Sequence, residues 1–306
     1  MRQLTANEME LMSYYYIQHH YFFAMKAILV TGGNQGIGFA LCKQLAIEHN
    51  CHVFLTARNQ EKGLAATSRI NDGISKTSGC SGSVDFIQLD TSNDTSVAAA
   101  AQETRAKLSS SSSSKELYGI VNNAGIGLNT GNSGDIIQTN LYGPKRVCDQ
   151  FLDMLDQKEG RIVNIGSGGG PSYVSGVRNV EDKKTLCSPE SVTWEWIEEY
   201  AKENCKGDTY VYGLSKALLA CYTGILAREH PNLTCSCVTP GFVDTQMTAG
   251  YGASKTPEEA AMPILHCLFG DLKGNGFYYG SDAVRSPYHF MRNPGEPEYD
   301  GVNPFF

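Results

Sequence analysis

Two tyrosine–lysine pairs with a spacing of four residues could act as acid–base groups. They are Tyr212 with Lys216, in YGLSK, and Tyr251 with Lys255, in YGASK. A free tyrosine, with a pKa of about 10, is a poor acid–base catalyst near neutral pH, and a neighbouring cation lowers that pKa by stabilising phenolate. Residues four apart share a helix face, so a pair can work together only where one helix runs through both.

Helix signals distinguish the two pairs. After the first pair the chain continues as ALLACYTGILARE to Glu229 without a proline. Directly after the second pair, Thr256, Pro257 and Glu259 form a capping box with proline at the first helical position, so a helix begins only there. We therefore predict that the first pair carries the chemistry, with Tyr212 as its acid, and that the second tyrosine lies in a loop near the substrate entrance.

A glycine-rich turn, TGGNQGIG, occupies residues 31–38. It lies between an apolar run that predicts a strand and a segment that predicts a helix, the place where a dinucleotide pyrophosphate meets backbone amides and a helix N-terminus. Side chains would block that approach, which explains the glycines. The residues of this turn that we expect to contact the cofactor are Gly32, Asn34, Gln35, Gly36, Ile37 and Gly38.

The end of the second predicted strand indicates which dinucleotide binds. Folds that prefer NAD place an acid there, about 20 residues beyond the glycines, to hold the ribose 2′-hydroxyl. Here the position is Ala57, followed by Arg58. Because guanidinium binds phosphate bidentately and an acid would repel it, we predict NADP(H), with NAD as the minority outcome.

Apolar runs and helical segments alternate along the whole chain, which predicts an α/β fold with a parallel sheet between helices. No internal repeat or linker divides it. The strands are predicted at residues 26–31, 51–56, 84–89, 116–121, 161–166, 233–238 and 276–280, and the longest helices at 94–108, 135–157 and 212–229.

Further motifs follow the glycine turn in a fixed order, namely NNAG at 122–125, Asn140, Ser167 after a strand, YGLSK at 212–216 and PGFVDT at 240–245. Together they resemble the short-chain dehydrogenase/reductase family over roughly residues 26–285. TARN at 56–59 and the long gap before Tyr212 resemble its carbonyl-reductase branch. The resemblance implies one Rossmann-type domain, 25–306, with a doubly wound sheet in three α/β/α layers.

The resemblance also implies roles for individual residues. Tyr212 would donate a proton to the substrate carbonyl, Ser167 would hydrogen-bond its oxygen, and Asn140 would hold a water in the proton relay. Lys216 would hold the nicotinamide ribose and, with the oxidised nicotinamide, lower the phenol pKa of the tyrosine. Gln35 stands where NADP-preferring members often carry a cation, which leaves Arg58 to supply most of the preference. The other expected cofactor contacts are Asp90 at the adenine, Asn122 along the cofactor, and Pro240, Val243 and Thr245, the last at the nicotinamide.

An insertion separates Ser167 from Tyr212 by 44 residues, at about 168–209, where most family members have a short gap. Unstructured loops of this length are uncommon, so we expect a partly helical insertion. Ser188 and Pro189 predict a helix start, with Trp196 buried against the domain and Trp194 partly exposed. The carbonyl-reductase branch uses such an insertion to cover the surface through which relatives pair, and we therefore predict a monomer.

Composition narrows the function classes. The net charge of −7 argues against a nucleic-acid or anionic-membrane partner, and no apolar run reaches the roughly 20 residues of a membrane helix. Ten cysteines without paired spacing predict free thiols in a reducing compartment and no metal site. We expect a cytoplasmic protein with a small-molecule substrate. Residues 1–24 read as an N-terminal extension compatible with disorder and without a targeting signal.

The leading hypothesis is NADPH-dependent reduction of a ketone, quinone or aldehyde to an alcohol. The same site would catalyse the reverse reaction, so an NADP⁺-dependent dehydrogenase of a specific alcohol remains an alternative. A non-catalytic NADP-binding regulatory protein is a second alternative, although a pure binder has no need of Tyr212, Lys216 and Ser167 together. A methyltransferase with a similar glycine turn is disfavoured by the ordered tyrosine–lysine motif.

Overall fold

The structure, a computed structural model, describes residues 25–111, 114–127, 132–188, 191–206 and 210–305. The predicted extension at 1–24 and the predicted helix start at Pro189 lie outside these ranges. Within these ranges the chain forms seven β-strands and ten α-helices.

Seven strands form one sheet in the order β3-β2-β1-β4-β5-β6-β7, and every neighbouring pair is parallel. The central strands are fully buried because both faces of a parallel sheet are covered by helices. This confirms the predicted doubly wound α/β sheet. The strands are β1 (Ala27–Val30), β2 (His52–Ala57), β3 (Ser83–Gln88), β4 (Leu117–Asn122), β5 (Arg161–Ile165), β6 (Thr234–Val238) and β7 (Phe277–Tyr279).

Ten α-helices flank the sheet in the described residues, and none is both long and apolar enough to span a membrane. One buried apolar cluster joins α1, α2 and α10 to one face of the sheet, and another joins α3, α5 and α9 to the other. The helices are α1 (Gly36–Ile47), α2 (Gln60–Ser75), α3 (Asp94–Ser110), α4 (Ser133–Ile137), α5 (Gly143–Phe151), α6 (Gly169–Gly176), α7 (Val180–Leu186), α8 (Trp194–Asn204), α9 (Val211–Glu229) and α10 (Pro257–Phe269).

The sheet order reverses between β1 and β4, since β2 and β3 lie on one side of β1 and the later strands on the other. In open α/β sheets, ligands bind beside such a switch point, at the carboxyl ends of the strands. The loops that follow the strands at this edge therefore form the candidate site.

One predicted helix is interrupted. In place of a single helix at 135–157, α4 is followed by a π-helical turn, Gln138–Tyr142, and then by α5 and a 3₁₀ turn, Leu152–Met154. Pro144 at the start of α5 has no amide hydrogen for the regular helical ladder, which accounts for a break at this point. π-helical turns frequently occur at functional sites, and this one carries Asn140.

The insertion is helical, as predicted, but its elements differ. It contains α6, α7 and α8, and α8 begins after the N-cap Thr193, whose hydroxyl accepts from the Trp196 amide, so the predicted start at Ser188 is wrong. An N-cap threonine pairs one of the free backbone amides at the start of a helix, so α8 can begin there without the proline on which the prediction of a start at Ser188 rested. Both tryptophans are partly buried.

Trp194 rather than Trp196 joins the insertion to the catalytic helix. Its ring contacts Tyr142 at 5.6 Å and Tyr222 of α9 at 5.4 Å between centroids, both edge-on, whereas Trp196 stacks on Tyr200 of its own helix. Edge-on aromatic contacts add to the free energy of burial. The insertion thereby covers the outer face of α9.

Candidate active site

A cleft of about 730 Å³ runs across the carboxyl ends of the strands. It is lined by the glycine turn after β1 and by the segments after β2, β3, β4, β5 and β6. The predicted site residues that line it are Gly32, Asn34, Gln35, Gly36, Ile37, Gly38, Arg58, Asp90, Ser167, Tyr212, Lys216, Pro240, Val243 and Thr245.

The glycine turn requires its glycines for two different reasons. Gly32 and Gly36 have φ of +66° and +54°, a region that side chains disfavour. A Cβ atom on Gly38 would overlap the carbonyl oxygen of Gly32 and lie 2.5 Å from the side-chain nitrogen of Asn123. That amide donates to the carbonyl of Thr31 at 2.8 Å, so the turn is fixed to the end of β4.

The N-terminus of α1 faces the cleft without a side-chain cap. Its N-cap residue Gln35 makes no capping hydrogen bond, whereas Asn59 and Asn93 accept from backbone amides at the starts of α2 and α3. The first amides of a helix have no intrahelical partner and attract anions. The residues present therefore fit a pyrophosphate at this position.

Two cations lie at the β2 end of the cleft. Arg58 is exposed and lines the cleft directly after β2, and Lys62 lines it from the first turn of α2. Lys62 was not among the predicted site residues, although a cation in the first turn of a helix that starts beside Arg58 is a usable signal. Asp90 also lines this end, and its Oδ1 accepts from the amide and hydroxyl of Ser92 at 3.0 and 2.7 Å.

The catalytic candidates come together from two elements. Tyr212 is on the first turn of α9, and its phenol hydrogen-bonds the side chain of Ser167, two residues after β5. Ser167 Oγ also accepts from the amide of Gly169 at 3.1 Å, which leaves its proton for another acceptor. Lys216, 6% exposed, donates from Nζ to the carbonyl of Ile165 at 2.7 Å.

Burial moves the two titrating groups in opposite directions. It raises the pKa of the Tyr212 phenol, although the hydrogen bond from Ser167 lowers that pKa in part, and it lowers the pKa of the Lys216 ammonium to about 8. The predicted lowering of the phenol pKa by Lys216 together with the oxidised nicotinamide remains a prediction. The Lys216 nitrogen lies 5.8 Å from the phenol ring centroid, on the same face of α9.

Two predicted site residues lie behind the cleft. Asn140 is fully buried. Its side-chain oxygen accepts a hydrogen bond from the backbone amide of Ile126 at 2.9 Å, and its side-chain nitrogen donates one to the backbone carbonyl of Ile126 at 3.0 Å. It thus shapes the cleft wall after β4, and its part in a proton relay remains a prediction. Asn122 turns into the core, donating to Asn164 Oδ1 at 2.8 Å, and the neighbouring Asn123 lines the cleft instead.

The rival tyrosine lies apart from this arrangement. Tyr251 is 62% exposed and lies in a turn between β6 and α10. Thr256 and Glu259 form the expected capping box at the start of α10, so no helix runs through Tyr251 and Lys255. The predicted helix through Tyr212 and Lys216 is confirmed, and the choice of Tyr212 as the acid remains a prediction.

Comparisons with known proteins agree with this architecture. The sequence model of the short chain dehydrogenase family matches residues 26–178. A (+)-neomenthol dehydrogenase of Arabidopsis thaliana is 30% identical over 78% of this chain and 90% of its own length. Mouse carbonyl reductase 3, whose name specifies NADPH, is 28% identical over 79% of this chain and 91% of its own length. The structure of salutaridine reductase from Papaver somniferum superposes with a TM-score of 0.70 at 26% identity, covering 83% of this chain and 99% of that chain.

Replacing Gly38 with alanine tests the glycine turn. We expect Gly38→Ala to weaken NADPH binding by at least about tenfold, because its Cβ displaces either the Gly32 carbonyl or the Asn123 amide. The measurement is titration by NADPH fluorescence. Gly176→Ala, where a Cβ meets nothing within 4 Å, is the matched control. Equal affinities in the two variants would contradict the assignment of the turn.

The pKa of Lys216 predicts a pH dependence of cofactor binding. The ammonium is charged below about pH 8 and neutral above it, so NADPH affinity should fall as pH rises through about 8. We expect a loss of roughly tenfold across this step, the size of one charge-assisted hydrogen bond. Lys216→Gln should bind weakly at every pH and show no step. A step of the same size and position in Lys216→Gln would assign it to another group.

Proposed function

Because the chain belongs to the short-chain dehydrogenase family, we propose that it reduces a ketone, quinone or aldehyde to an alcohol with NADPH, and that Tyr212 donates the proton. The observation that carries this proposal is the hydrogen bond between the Tyr212 phenol and Ser167, beside the buried ammonium of Lys216, at the edge of a dinucleotide-sized cleft.

NADP(H) is the cofactor that the cleft favours. The uncapped α1 N-terminus suits the pyrophosphate, and Arg58 and Lys62 offer two cations where a 2′-phosphate would lie. Lys216 would hold the nicotinamide ribose. Its Nζ lies beside Gly125, where an added Cβ atom would be 3.7 Å away. When bound, the cofactor supplies the hydride that reduces the carbonyl carbon.

The residues of this chain supply the remaining steps. The Ser167 hydroxyl, whose oxygen already accepts from Gly169, donates to the carbonyl oxygen and stabilises the negative charge that develops there. The Tyr212 phenol then transfers its proton to that oxygen and becomes a phenolate. Lys216, on the same helix face, stabilises the phenolate while it is charged.

The raised pKa of Tyr212 is compatible with its role as the proton donor in reduction. It keeps the phenol protonated at neutral pH, and the protonated form is the one that a carbonyl reduction consumes. The reverse oxidation, by an NADP⁺-dependent dehydrogenase, needs the phenolate and would therefore be favoured at alkaline pH.

A monomer in the cytoplasm completes the proposal. The contact of Trp194 with Tyr142 and Tyr222 supports the monomer, because α8 covers the outer face of α9. We expect the protein to elute from gel filtration with an apparent mass of 33.3 kDa, and elution at twice that mass would contradict a monomer.

Replacing Tyr212 with phenylalanine tests the catalytic assignment. We expect the wild type to oxidise NADPH with members of a panel of ketones, quinones and aldehydes, and Tyr212→Phe to lose about 10²- to 10⁴-fold in kcat, the contribution of a general acid. NADPH affinity should stay within about twofold. Tyr251→Phe, which alters the rival tyrosine, should retain full activity. Full activity in Tyr212→Phe would contradict the mechanism, and tight NADPH binding without turnover would favour a regulatory protein.

Removing the two cations tests the cofactor preference. The double variant Arg58→Ala/Lys62→Ala should lose about 100-fold in kcat/KM for NADPH, roughly tenfold for each phosphate contact, and change little with NADH. Lys76→Ala, which removes a cation at the opposite end of α2, is the control. A parallel loss with both cofactors would show that these cations do not read the 2′-phosphate.

A further inference from the structure

A second tyrosine lies beside the catalytic pair. Tyr210 occupies the N-cap position of α9, two residues before Tyr212, and its side chain makes no capping hydrogen bond. The two rings are 6.3 Å apart between centroids, tilted by 49°. Tyr210 is 43% exposed, so part of its side chain is accessible to a ligand.

Two glycines fix the position of the Tyr210 ring. A Cβ atom on Gly213 would lie 2.5 Å from its Cε1, and a Cβ atom on Gly169 would lie 2.8 Å from its hydroxyl oxygen. Carbon contacts this short do not occur in folded proteins. The ring therefore lies in a slot that exists only because both positions lack a side chain, and its hydroxyl is held against the loop that follows β5.

The Tyr210 hydroxyl and the Ser167 hydroxyl flank the same glycine. A Cβ atom added to Gly169 would lie 2.8 Å from the Tyr210 hydroxyl oxygen and 3.4 Å from Ser167 Oγ. Ser167 in turn hydrogen-bonds Tyr212, so three hydroxyls form a row along this loop. Among the described residues, the Tyr210 hydroxyl has no hydrogen-bond partner, and burial raises its pKa, which keeps it a donor.

Apolar side chains border the loops on either side of this row. A Cβ atom added to Gly168, next to Ser167, would lie 2.7 Å from the sulfur of Met291. A Cβ atom added to Gly127, after β4, would lie 2.9 Å from Cγ of Met247. Thioethers adapt to irregular apolar ligands. A substrate at this place would thus meet apolar thioethers beside the three hydroxyls.

We propose that Tyr210 is a specificity-determining residue, whose phenol donates a hydrogen bond to a second oxygen of the substrate, a hydroxyl or carbonyl on the carbon next to the reduced carbonyl. The inference rests on the proposed function and adds the substrate class. The carbonyl oxygen lies between Tyr212 and Ser167, and the neighbouring oxygen reaches the third hydroxyl of the row. A ketone without this oxygen cannot form the hydrogen bond to the phenol, which lowers its transition-state affinity relative to a ketone that carries the oxygen.

Two substrates that differ by one group test the inference. Phenacyl alcohol and propiophenone share the aryl ketone and carry a hydroxyl and a methyl group, respectively, on the neighbouring carbon. We expect the wild type to favour phenacyl alcohol in kcat/KM with NADPH. Tyr210→Phe, which keeps the ring in its slot, should reduce that preference by about tenfold, the value of one hydrogen bond, and leave propiophenone within about twofold. Tyr251→Phe should leave the preference unchanged.

The possible failures of the two proposals are distinguishable. Equal use of the two ketones by the wild type, or an unchanged preference in Tyr210→Phe, overturns the role of Tyr210. Turnover of other carbonyls but of neither aryl ketone also overturns it, and leaves the proposed function in place. Absence of NADPH oxidation with every carbonyl contradicts the proposed function, and the inference fails with it.

Discussion

The buried ammonium of Lys216 is the constraint on which the site depends. A buried cation costs free energy unless it is hydrogen-bonded, and here it donates to the carbonyl of Ile165, the last residue of β5, at 2.7 Å. That bond joins α9 to the end of β5, which brings Tyr212, one turn earlier on α9, to Ser167, two residues beyond β5. A second buried hydrogen bond, from Asn164 of β5 to Thr223 of α9 at 2.9 Å, sets the same register deeper in the core. Neither bond can be lost without leaving a buried polar group unpaired.

Much of this arrangement could be predicted from the sequence because it depends on local rules. The glycine turn after β1 has to bring a phosphate close to backbone amides, so its residue types and its place between a strand and a helix were sufficient signals. Arg58 was identified in the same way, from its position at a strand end. The preference for Tyr212 over Tyr251 rested on the capping box at Thr256, a signal within four residues of the chain.

The remaining features depend on packing between distant segments, which spacing does not encode. The start of α8 at Thr193 is decided by how the insertion covers α9. Asn122 and Asn123 look alike in the sequence, and only the sheet shows that the first faces the core and the second the cleft. The raised pKa of Tyr212 reflects burial by residues far along the chain. The slot for Tyr210 is formed by glycines 44 positions apart, Gly169 and Gly213.

Hydride transfer to a carbonyl carbon is the central claim, and an isotope measurement tests it most directly. NADPH that carries deuterium at the transferable position of the nicotinamide is incubated with the wild-type protein and a carbonyl compound that it consumes, and the alcohol is analysed by mass spectrometry and NMR. The account predicts one deuterium on the carbinol carbon, a hydroxyl proton from solvent through Tyr212, and a slower rate than with unlabelled NADPH whenever transfer limits turnover. An alcohol without deuterium, or cofactor oxidation without any alcohol, would contradict it.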